Sequence, residues 1–223
     1  AKEILWGAVN NPVVINEYGH QFYVDVMEGQ KTGFFLDQRE NRRLISNFSK
    51  GKKVLNCFSY SGGFSVYAAK QGAITTSVDV SAPALELAQQ NFQLNHLSLE
   101  GHNFVKANVF EFLREDKERY DVVILDPPAF AKQKKDVMKA SRGYKDINRL
   151  AMEKFNEEGL LLTCSCSSFI DRDLFRKIIF AAAKEANCRA QILAQTAHPI
   201  DHPISVFHPE GEYLKALLLR ITR

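Results

Sequence analysis

The stretch VLNCFSYSGGFSVYAA, residues 54–69, joins a strand-like apolar run to a loop of small residues and the start of an apolar helix. Glycine has no Cβ, so Gly62 and Gly63 would let the backbone approach a bound ligand closely. The N-terminus of the following helix favours an anionic group. The loop lacks the spacing G-x-G-x-x-G, which argues against an ordinary dinucleotide site.

The same alternation of strand and helix patterns continues along the chain. Strands are predicted at Lys53–Phe58, Thr75–Asp79, His102–Lys106, Tyr120–Asp126, Gly159–Cys166, Ala190–Ala197 and Tyr213–Ile221. Helices are predicted at Phe64–Lys70, Pro83–Leu94, Phe110–Glu118, Arg142–Phe155 and Asp171–Ala186. Asp37 is expected to cap a further helix over residues 38–48. Seven strands alternating with helices predict an α/β fold with a doubly wound sheet that binds its ligand at the carboxyl ends of the strands.

The first 36 residues are predicted to form a small element ahead of the main domain at residues 37–223. Strand-like runs at residues 9–16 and 21–27 indicate a β-hairpin within this element. The chain is therefore divided into a β-hairpin-rich N-terminal element, residues 1–36, and one α/β domain.

The composition is that of an ordinary globular protein, with 223 residues of which 45% are hydrophobic and 25% charged. No apolar run approaches the ~20 residues that a membrane helix needs, and no basic-then-apolar leader is present, so a cytoplasmic protein is expected. Four irregularly spaced cysteines do not indicate a disulfide framework. Cys57 and Cys188 stand in separate apolar contexts, so the cysteines do not form a set of metal ligands. His198, His202 and His208 each precede a proline, which indicates bends in a loop rather than a helix that would align them. No metal site is therefore predicted.

Positive charge is concentrated in one segment. Between Lys132 and Arg149 there are seven basic and two acidic residues, whereas the rest of the chain has 22 basic and 24 acidic residues. A solvated helix face is the ordinary explanation for such a run. Its position shortly after an Asp-Pro-Pro sequence at residues 126–128 favours contact with the phosphates of a nucleic acid.

An acidic residue ends the second strand of the predicted sheet. Asp79 lies 16 residues after Gly63, where a carboxylate can accept hydrogen bonds from the two hydroxyls of a ribose. Ser81 is expected to cap the next helix. Asn108 ends the following strand–helix step, where its side chain could meet an adenine edge. A helix cap is the alternative interpretation for both Asp79 and Asn108.

Two segments bring a thiol and a carboxyl group together. LLTCSCSS, residues 161–168, ends an apolar run and follows LDPPAF, residues 125–130, by about one strand–helix unit. Cys166 is thereby expected to face the loop that Asp126 opens. A thiolate attacks electron-poor carbons, and a pyrimidine ring becomes electron-poor when a carboxyl group hydrogen-bonds its edge. Cys164, two residues away on the same predicted strand face, is interpreted as a small core residue.

In their order and spacing, LNCFSYSGGFSVYAA, SVDVS, LDPPAF and TCSCSS resemble the class I methyltransferase domain of the bacterial large-subunit ribosomal RNA 5-methylcytosine methyltransferases. KTGFFLDQREN (31–41), GYKDINRLAM (143–152) and DHPISVFHPEGEYLKA (201–216) extend the resemblance over nearly all of the chain. It implies a Rossmann-like methyltransferase sheet, S-adenosylmethionine as cofactor and ribosomal RNA as partner. It also implies that Cys166 is the nucleophile and that the Asp126 loop holds the target base.

The motifs and the resemblance together give the expected site. The residues expected to hold the cofactor are Thr32, Gly33, Phe35, Arg39, Phe58, Ser59, Tyr60, Gly62, Gly63, Asp79, Ser81, Asn108 and Asp126. The residues expected to contact the substrate are Pro127, Pro128, Phe130, Lys132, Lys134, Lys135 and His202. The target base would be single-stranded or flipped into the pocket, and His202 or a water would take the proton from carbon 5. The assembly is left open between a monomer and a homodimer.

Three differences qualify the resemblance. The family carries an N-terminal RNA-binding domain of the pseudouridine-synthase-associated type, which has no counterpart in residues 1–223. It usually has an acid where Asn108 stands. Other RNA cytosine methyltransferases place a second cysteine in the Asp-Pro-Pro loop, where this chain has Ala129.

Rival hypotheses remain at this point. An RNA guanine amino-group methyltransferase has a similar Asp-Pro-Pro-x-Phe loop and needs no thiol. Adenine amino methylation also needs no cysteine. A third alternative is an RNA-binding module that has kept the fold and lost the cofactor.

Overall fold

A seven-stranded sheet forms the centre of the protein. The computed structural model describes residues 4, 6–29, 32–208 and 211–223. The strands of the sheet are β3 Lys53–Cys57, β4 Ile74–Asp79, β5 Asn103–Lys106, β6 Val122–Leu125, β7 Glu158–Ser165, β8 Arg189–Thr196 and β9 Lys215–Thr222. Their order is β5-β4-β3-β6-β7-β9-β8, with β3 to β7 parallel and β9 antiparallel to both of its neighbours. The predicted doubly wound α/β sheet is confirmed, and its strand order reverses between β3 and β6, where such sheets bind ligands.

Helices cover both faces of this sheet. The helices are α1 Arg39–Ser46, α2 Gly63–Ala69, α3 Ala82–Leu94, α4 Val109–Glu115, α5 Val137–Met152 and α6 Arg172–Glu185. Alternate strand residues pack with α1 and α2 on one face and with α4 to α6 on the other, as expected from the two-residue period of a strand. Within the described ranges, no helix is both long and apolar enough to span a membrane.

The predicted N-terminal hairpin is present and packs against the main domain. It consists of β1 Val13–Glu17 and β2 His20–Val24. Both turn residues, Tyr18 and Gly19, have positive φ, as a two-residue hairpin turn of type I′ requires. Phe22 contacts the Tyr67 ring of α2 with 6.3 Å between ring centroids. The Asn91 side chain of α3 accepts a hydrogen bond of 2.8 Å from the Tyr23 N–H. These contacts join the hairpin to α2 and α3.

Some of the predicted segments extend beyond what the structure describes. Residues 1–3, 5, 30 and 31 of the predicted N-terminal element lie outside the described residues, and so do 209 and 210 of the segment 201–216. The division of the chain at residue 36 stays a prediction.

The prediction that Asp37 caps the first helix is wrong. A short 3₁₀ helix, Leu36–Gln38, precedes α1, so Asp37 lies inside a helical turn and not ahead of one. Its carboxylate instead accepts a hydrogen bond of 2.7 Å from Tyr213 Oη. The N-cap position of α1 is taken by Gln38, whose side chain makes no cap hydrogen bond.

The long helix α5 begins five residues earlier than predicted. It starts at Val137, directly after the 3₁₀ turn Lys134–Asp136, whose last residue Asp136 forms a reciprocal capping box with the preceding Gln133. The prediction placed its start at Arg142. Gly143 lies within the helix, where its missing Cβ makes room for the ring of Phe130.

Candidate active site

A cleft opens at the carboxyl ends of β3, β4, β6 and β7, on the line where the strand order reverses. Its volume is about 190 Å³. The cleft is lined by Phe34, Phe35, Asp37, Gln38, Arg42, Phe58, Ser59, Tyr60, Ser61, Gly63, Phe64, Asp79, Val80, Asp126, Pro127, Pro128, Cys166 and Leu214. The structure thus brings together ten of the predicted site residues, namely Phe35, Phe58, Ser59, Tyr60, Gly63, Asp79, Asp126, Pro127, Pro128 and Cys166.

The loop after β3 has an unusual backbone course. Phe58, Tyr60 and Gly62 all have positive φ, a region that side chains other than glycine seldom adopt. A Cβ on Gly62 would lie 2.8 Å from the Ala88 Cβ of α3. Gly62 therefore allows close approach to a helix, while the neighbouring Gly63 lines the cleft.

Asp79 is held in place by this loop. One carboxylate oxygen accepts a hydrogen bond of 2.9 Å from the Tyr60 N–H, and the other accepts one of 2.9 Å from the Ser81 N–H. A carboxylate oxygen has two acceptor sites, so each oxygen can still accept a bond from a ligand hydroxyl. Val80, which follows it in the cleft, is 62% exposed. The carboxylate of Asp79 is suited to accept hydrogen bonds from the hydroxyls of a ribose, and the accessible Val80 side chain is suited to pack on the face of a base.

Asp126 is oriented by a side chain from a distant part of the chain. Gln38 Nε2 donates a hydrogen bond of 2.8 Å to Asp126 Oδ1. The amide of Gln38 is itself oriented, because its oxygen accepts a bond of 2.6 Å from Asn41 Nδ2. Gln38 is 2% exposed and Asn41 is 1% exposed. This buried amide chain keeps one carboxylate oxygen of Asp126 in place at the cleft wall.

Cys166 lies directly beyond the end of β7, because the strand stops at Ser165. Its side chain is partly exposed and lines the cleft with Asp126. The Sγ atom lies 3.8 Å from the carbonyl oxygen of Pro127, a distance at which a thiol makes a weak hydrogen bond. The expected meeting of the thiol with the Asp-Pro-Pro loop is therefore present in the structure.

Cys164 differs from Cys166 in its burial. It is fully buried in the core, and burial raises the pKa of its thiol well above the usual value. Since β7 ends at Ser165, the expectation that both thiols share one strand face stays a prediction. The interpretation of Cys164 as a core residue agrees with its position.

An ion pair that the sequence did not reveal supports one wall of the cleft. Arg42 of α1 donates two hydrogen bonds, of 2.7 and 2.8 Å, to the carboxylate of Glu17 on β1. Both side chains are 3% exposed. The Arg42 guanidinium also lies 4.6 Å from the centre of the Phe34 ring, which faces the cleft. Nothing in the sequence separates this pair from other charges, because the partners are 25 residues apart.

Six residues expected to hold the cofactor lie outside the cleft lining, namely Thr32, Gly33, Arg39, Gly62, Ser81 and Asn108. Arg39 forms ion pairs with Glu40 and Asp201. Ser81 caps α3, as predicted, through a bond of 3.3 Å from the Ala84 N–H. Asn108 caps α4, so its oxygen already has backbone partners. Their roles toward a ligand stay predictions.

The residues expected to contact the substrate are divided between two places. Pro127 and Pro128 line the main cleft, whereas Phe130 and Lys132 line a second cavity of about 390 Å³. Phe130 packs on Tyr144 with 4.6 Å between ring centroids. Lys134 and Lys135 are exposed in the 3₁₀ turn before α5.

His202 lies outside both cavities and forms a bond of 3.1 Å to Asp201, its neighbour in sequence. Its predicted role at carbon 5 stays a prediction.

Comparison with known proteins places the chain in a family. The sequence profile of the S-adenosylmethionine-dependent methyltransferases matches residues 1–220. The chain belongs to this family. The ribosomal RNA large subunit methyltransferase I of Aeromonas salmonicida is 48% identical to it over 213 residues, which are 94% of this chain and 54% of that protein. The protein of the same name from Tolumonas auensis is also 48% identical, over 97% of this chain and 56% of its own length. This chain therefore spans about half the length of these two relatives.

A solved structure shows the same fold with a ligand present. The structure of SMU.776 complexed with SAH has a TM-score of 0.86 and 32% identity to this chain. The similarity covers 97% of this chain and 58% of that one. The family uses S-adenosylmethionine, and the donor set at Asp79 together with the apolar cleft walls fits that cofactor.

Proposed function

We propose that the chain is the catalytic domain of a ribosomal RNA methyltransferase that forms 5-methylcytosine in large-subunit RNA through the thiol of Cys166. One observation supports this most strongly: the partly exposed Cys166 lines the same cleft as Asp126 and Asp79. The relatives named as large-subunit RNA methyltransferases support the class of substrate.

The cofactor end of the cleft is assigned to Asp79 and the loop after β3. Asp79 would accept the ribose hydroxyls, and Val80 and Phe58 would contact the adenine. Bound S-adenosylmethionine supplies an electrophilic methyl group. Gly63 leaves room for the methionine portion, because its missing side chain exposes the wall formed by Arg42 and Phe34.

The base end of the cleft is assigned to Asp126, Pro127 and Cys166. Carbon 5 of cytosine is a poor nucleophile until a thiolate adds to carbon 6 and pushes electron density onto carbon 5. Asp126 would hydrogen-bond the edge of the ring and aid that addition. After the methyl group is transferred, removal of the carbon 5 proton lets the sulfur–carbon bond break and returns Cys166 to its starting state.

Nucleoside mass spectrometry tests this proposal directly. The chain is incubated with S-adenosylmethionine and with ribosomal RNA from cells lacking the gene, and the RNA is then digested to nucleosides. We expect 5-methylcytidine, and none when Cys166→Ala replaces the native chain. Methylated guanosine as the product would overturn the proposal.

A guanine amino-group methyltransferase is the second candidate, because it uses a similar Asp-Pro-Pro-x-Phe loop. The position of Cys166 in the cleft favours cytosine, since amino methylation requires no thiol. Calorimetry with S-adenosylmethionine separates both enzymes from an RNA-binding module, which would show no cofactor binding.

A further inference from the structure

A buried lysine lies beside the nucleophile assigned above. Strand β9 runs antiparallel to β7, and their register pairs Lys215 with Ser165, the residue before Cys166. Lys215 is only 4% exposed. Its Nζ donates hydrogen bonds of 2.7 Å to the carbonyl oxygens of Ser167 and Tyr213. The amine is therefore anchored to the backbone immediately after Cys166.

The two hydrogen bonds do not neutralise the charge on Lys215. Both acceptors are carbonyl oxygens, and among the described residues no carboxylate lies within ion-pair distance of Nζ. A buried ammonium is costly unless an opposite charge is close. Burial lowers the pKa of Lys215 to about 8, and the charge that opposes this lowering most is the thiolate of Cys166.

More distant charges around Lys215 act in both directions. Glu212 and Asp171 favour its ammonium form, whereas Arg172 disfavours it. Glu212 is engaged by Arg172 at 2.5 Å, so its influence on the amine is reduced by a cation. Cys166 remains the group whose ionisation is most directly linked to that of Lys215.

Several acidic groups also lie near Cys166. Negative charge on Cys166 raises the pKa of Tyr144, Tyr213 and Cys164, in each case after the larger effect of burial. The carboxylates of Asp126 and Asp37 line the same cleft. All of these disfavour a second negative charge, whereas the ammonium of Lys215 favours it. The guanidinium of Arg42 also lines the cleft, but its charge is already paired with Glu17.

We propose that Lys215 is a positioning residue that holds a positive charge beside Cys166 and keeps its sulfur ionised for attack on the base. This inference rests on the proposed role of Cys166 as nucleophile. The thiol proton passes to solvent and Lys215 keeps its own proton. The freed electron pair on sulfur then forms the bond to carbon 6. As that bond forms, the π bond between carbon 5 and carbon 6 opens, and the negative charge moves from the sulfur onto carbon 5 and the ring.

The rate of Cys166 alkylation by iodoacetamide, measured against pH, tests the proposal without RNA or cofactor. Only the thiolate reacts, so the midpoint of the rate profile reports the pKa of Cys166. Mass spectrometry of the labelled peptides separates Cys166 from the other three cysteines. We expect Lys215→Met to raise the midpoint by about one pH unit or more, so that alkylation at pH values below both midpoints is about tenfold slower. Lys177→Met, which removes an exposed lysine on α6, should leave the midpoint unchanged.

A folded Lys215→Met protein with the native midpoint would overturn the proposal. The reciprocal experiment applies if Lys215→Met does not fold. Coupling between two sites is mutual, so removing the thiolate must lower the pKa of the lysine. In protein labelled with ¹³C at the lysine ε-carbons, the Lys215 resonance of Cys166→Ser should titrate at lower pH than in the native chain. Identical titration curves would also overturn it.

Failure of the proposed function would look different. An RNA product other than 5-methylcytidine would refute the chemistry while leaving the thiol–amine coupling measurable. If 5-methylcytidine is formed but the thiol of Cys166 and the amine of Lys215 show no coupling, only the role of Lys215 is refuted.

Discussion

Gln38 Nε2 donates a hydrogen bond of 2.8 Å to Asp126 Oδ1, joining the start of α1 to the Asp-Pro-Pro loop across 88 residues of sequence. The Gln38 oxygen accepts from Asn41, so the amide has one orientation and presents its N–H groups to the carboxylate. The loop that we assign to the target base is thereby oriented by the segment that follows the N-terminal hairpin.

Removing this hydrogen bond should slow methyl transfer. A hydrogen bond to a charged group contributes about 1.5–3 kcal/mol, so Gln38→Met should lower kcat about 10-fold to 100-fold. Single-turnover assays with RNA measure the effect, and circular dichroism checks the fold. Gln71→Met, at an exposed position after α2, is the matched control and should keep native activity. An unchanged rate in folded Gln38→Met would show that Asp126 needs no such support.

Asp79 should dominate cofactor affinity. Asp79→Ala removes two hydrogen bonds to the ribose, about 1–3 kcal/mol together, so the Kd for S-adenosylmethionine should rise about tenfold or more. Asp79→Asn, which keeps one acceptor oxygen, should have an intermediate Kd. Isothermal calorimetry measures both, with Asp173→Ala on the surface of α6 as control. Equal Kd values for the native chain and a folded Asp79→Ala would remove Asp79 from the site.

The basic segment should carry RNA affinity in its exposed part only. Lys134 and Lys135 form no ion pair among the described residues, whereas Lys145 pairs with Glu185 and Arg149 with Asp146 and Glu153. The logarithm of the RNA-binding constant falls linearly with the logarithm of the salt concentration. Each phosphate of single-stranded RNA that a lysine neutralises makes the slope of this line steeper by about 0.7. Replacing Lys134 and Lys135 by alanine should therefore make the slope shallower by about 1.4.

Lys145→Ala/Arg149→Ala removes the same number of charges and should leave the slope near the native value. Filter binding at several salt concentrations measures both variants. If the two double variants flatten the slope equally, the free and the paired basic residues are equivalent and the exposed turn before α5 has no special role.

The buried ion pair between Glu17 and Arg42 should dominate the attachment of the hairpin. Arg42→Met leaves a buried carboxylate unpaired, which typically destabilises a protein by about 3–5 kcal/mol. Urea unfolding measures this loss. Arg220→Met breaks the exposed pair with Glu158 and should cost at most about 1 kcal/mol. The double variant Glu17→Gln/Arg42→Met should recover much of the stability that Arg42→Met loses. Equal losses of stability from Arg42→Met and Arg220→Met would contradict this account.

Local patterns in the sequence predicted the sheet and most of its helices, because strand and helix periodicities are short-range. The same reasoning located Asp79, Asp126 and Cys166, since each lies at or directly after the end of a strand and parallel strands end at one edge. It failed for Asp37, where a 3₁₀ turn shifts the start of α1 by one residue.

The supporting contacts of the site could not be predicted in this way. The partners of the Gln38–Asp126 bond and of the Lys215–Ser167 bond are 88 and 48 residues apart. Such pairs depend on how the elements pack, and no local periodicity encodes them. Lys215 could have been noticed as a charged residue that directly precedes the apolar run at residues 216–219.

Covalent trapping with 5-fluorocytosine RNA tests the central claim, that Cys166 attacks the base. Fluorine at carbon 5 does not leave as a proton does, so the reaction should stop after methyl transfer with the RNA bound to the protein. We predict an adduct that maps to Cys166, that Cys166→Ala abolishes, and that Cys164→Ala retains with a modest loss of stability from its small cavity. An adduct on Cys164, or methylation at the native rate by Cys166→Ala, would contradict the account and favour a guanine amino-group methyltransferase.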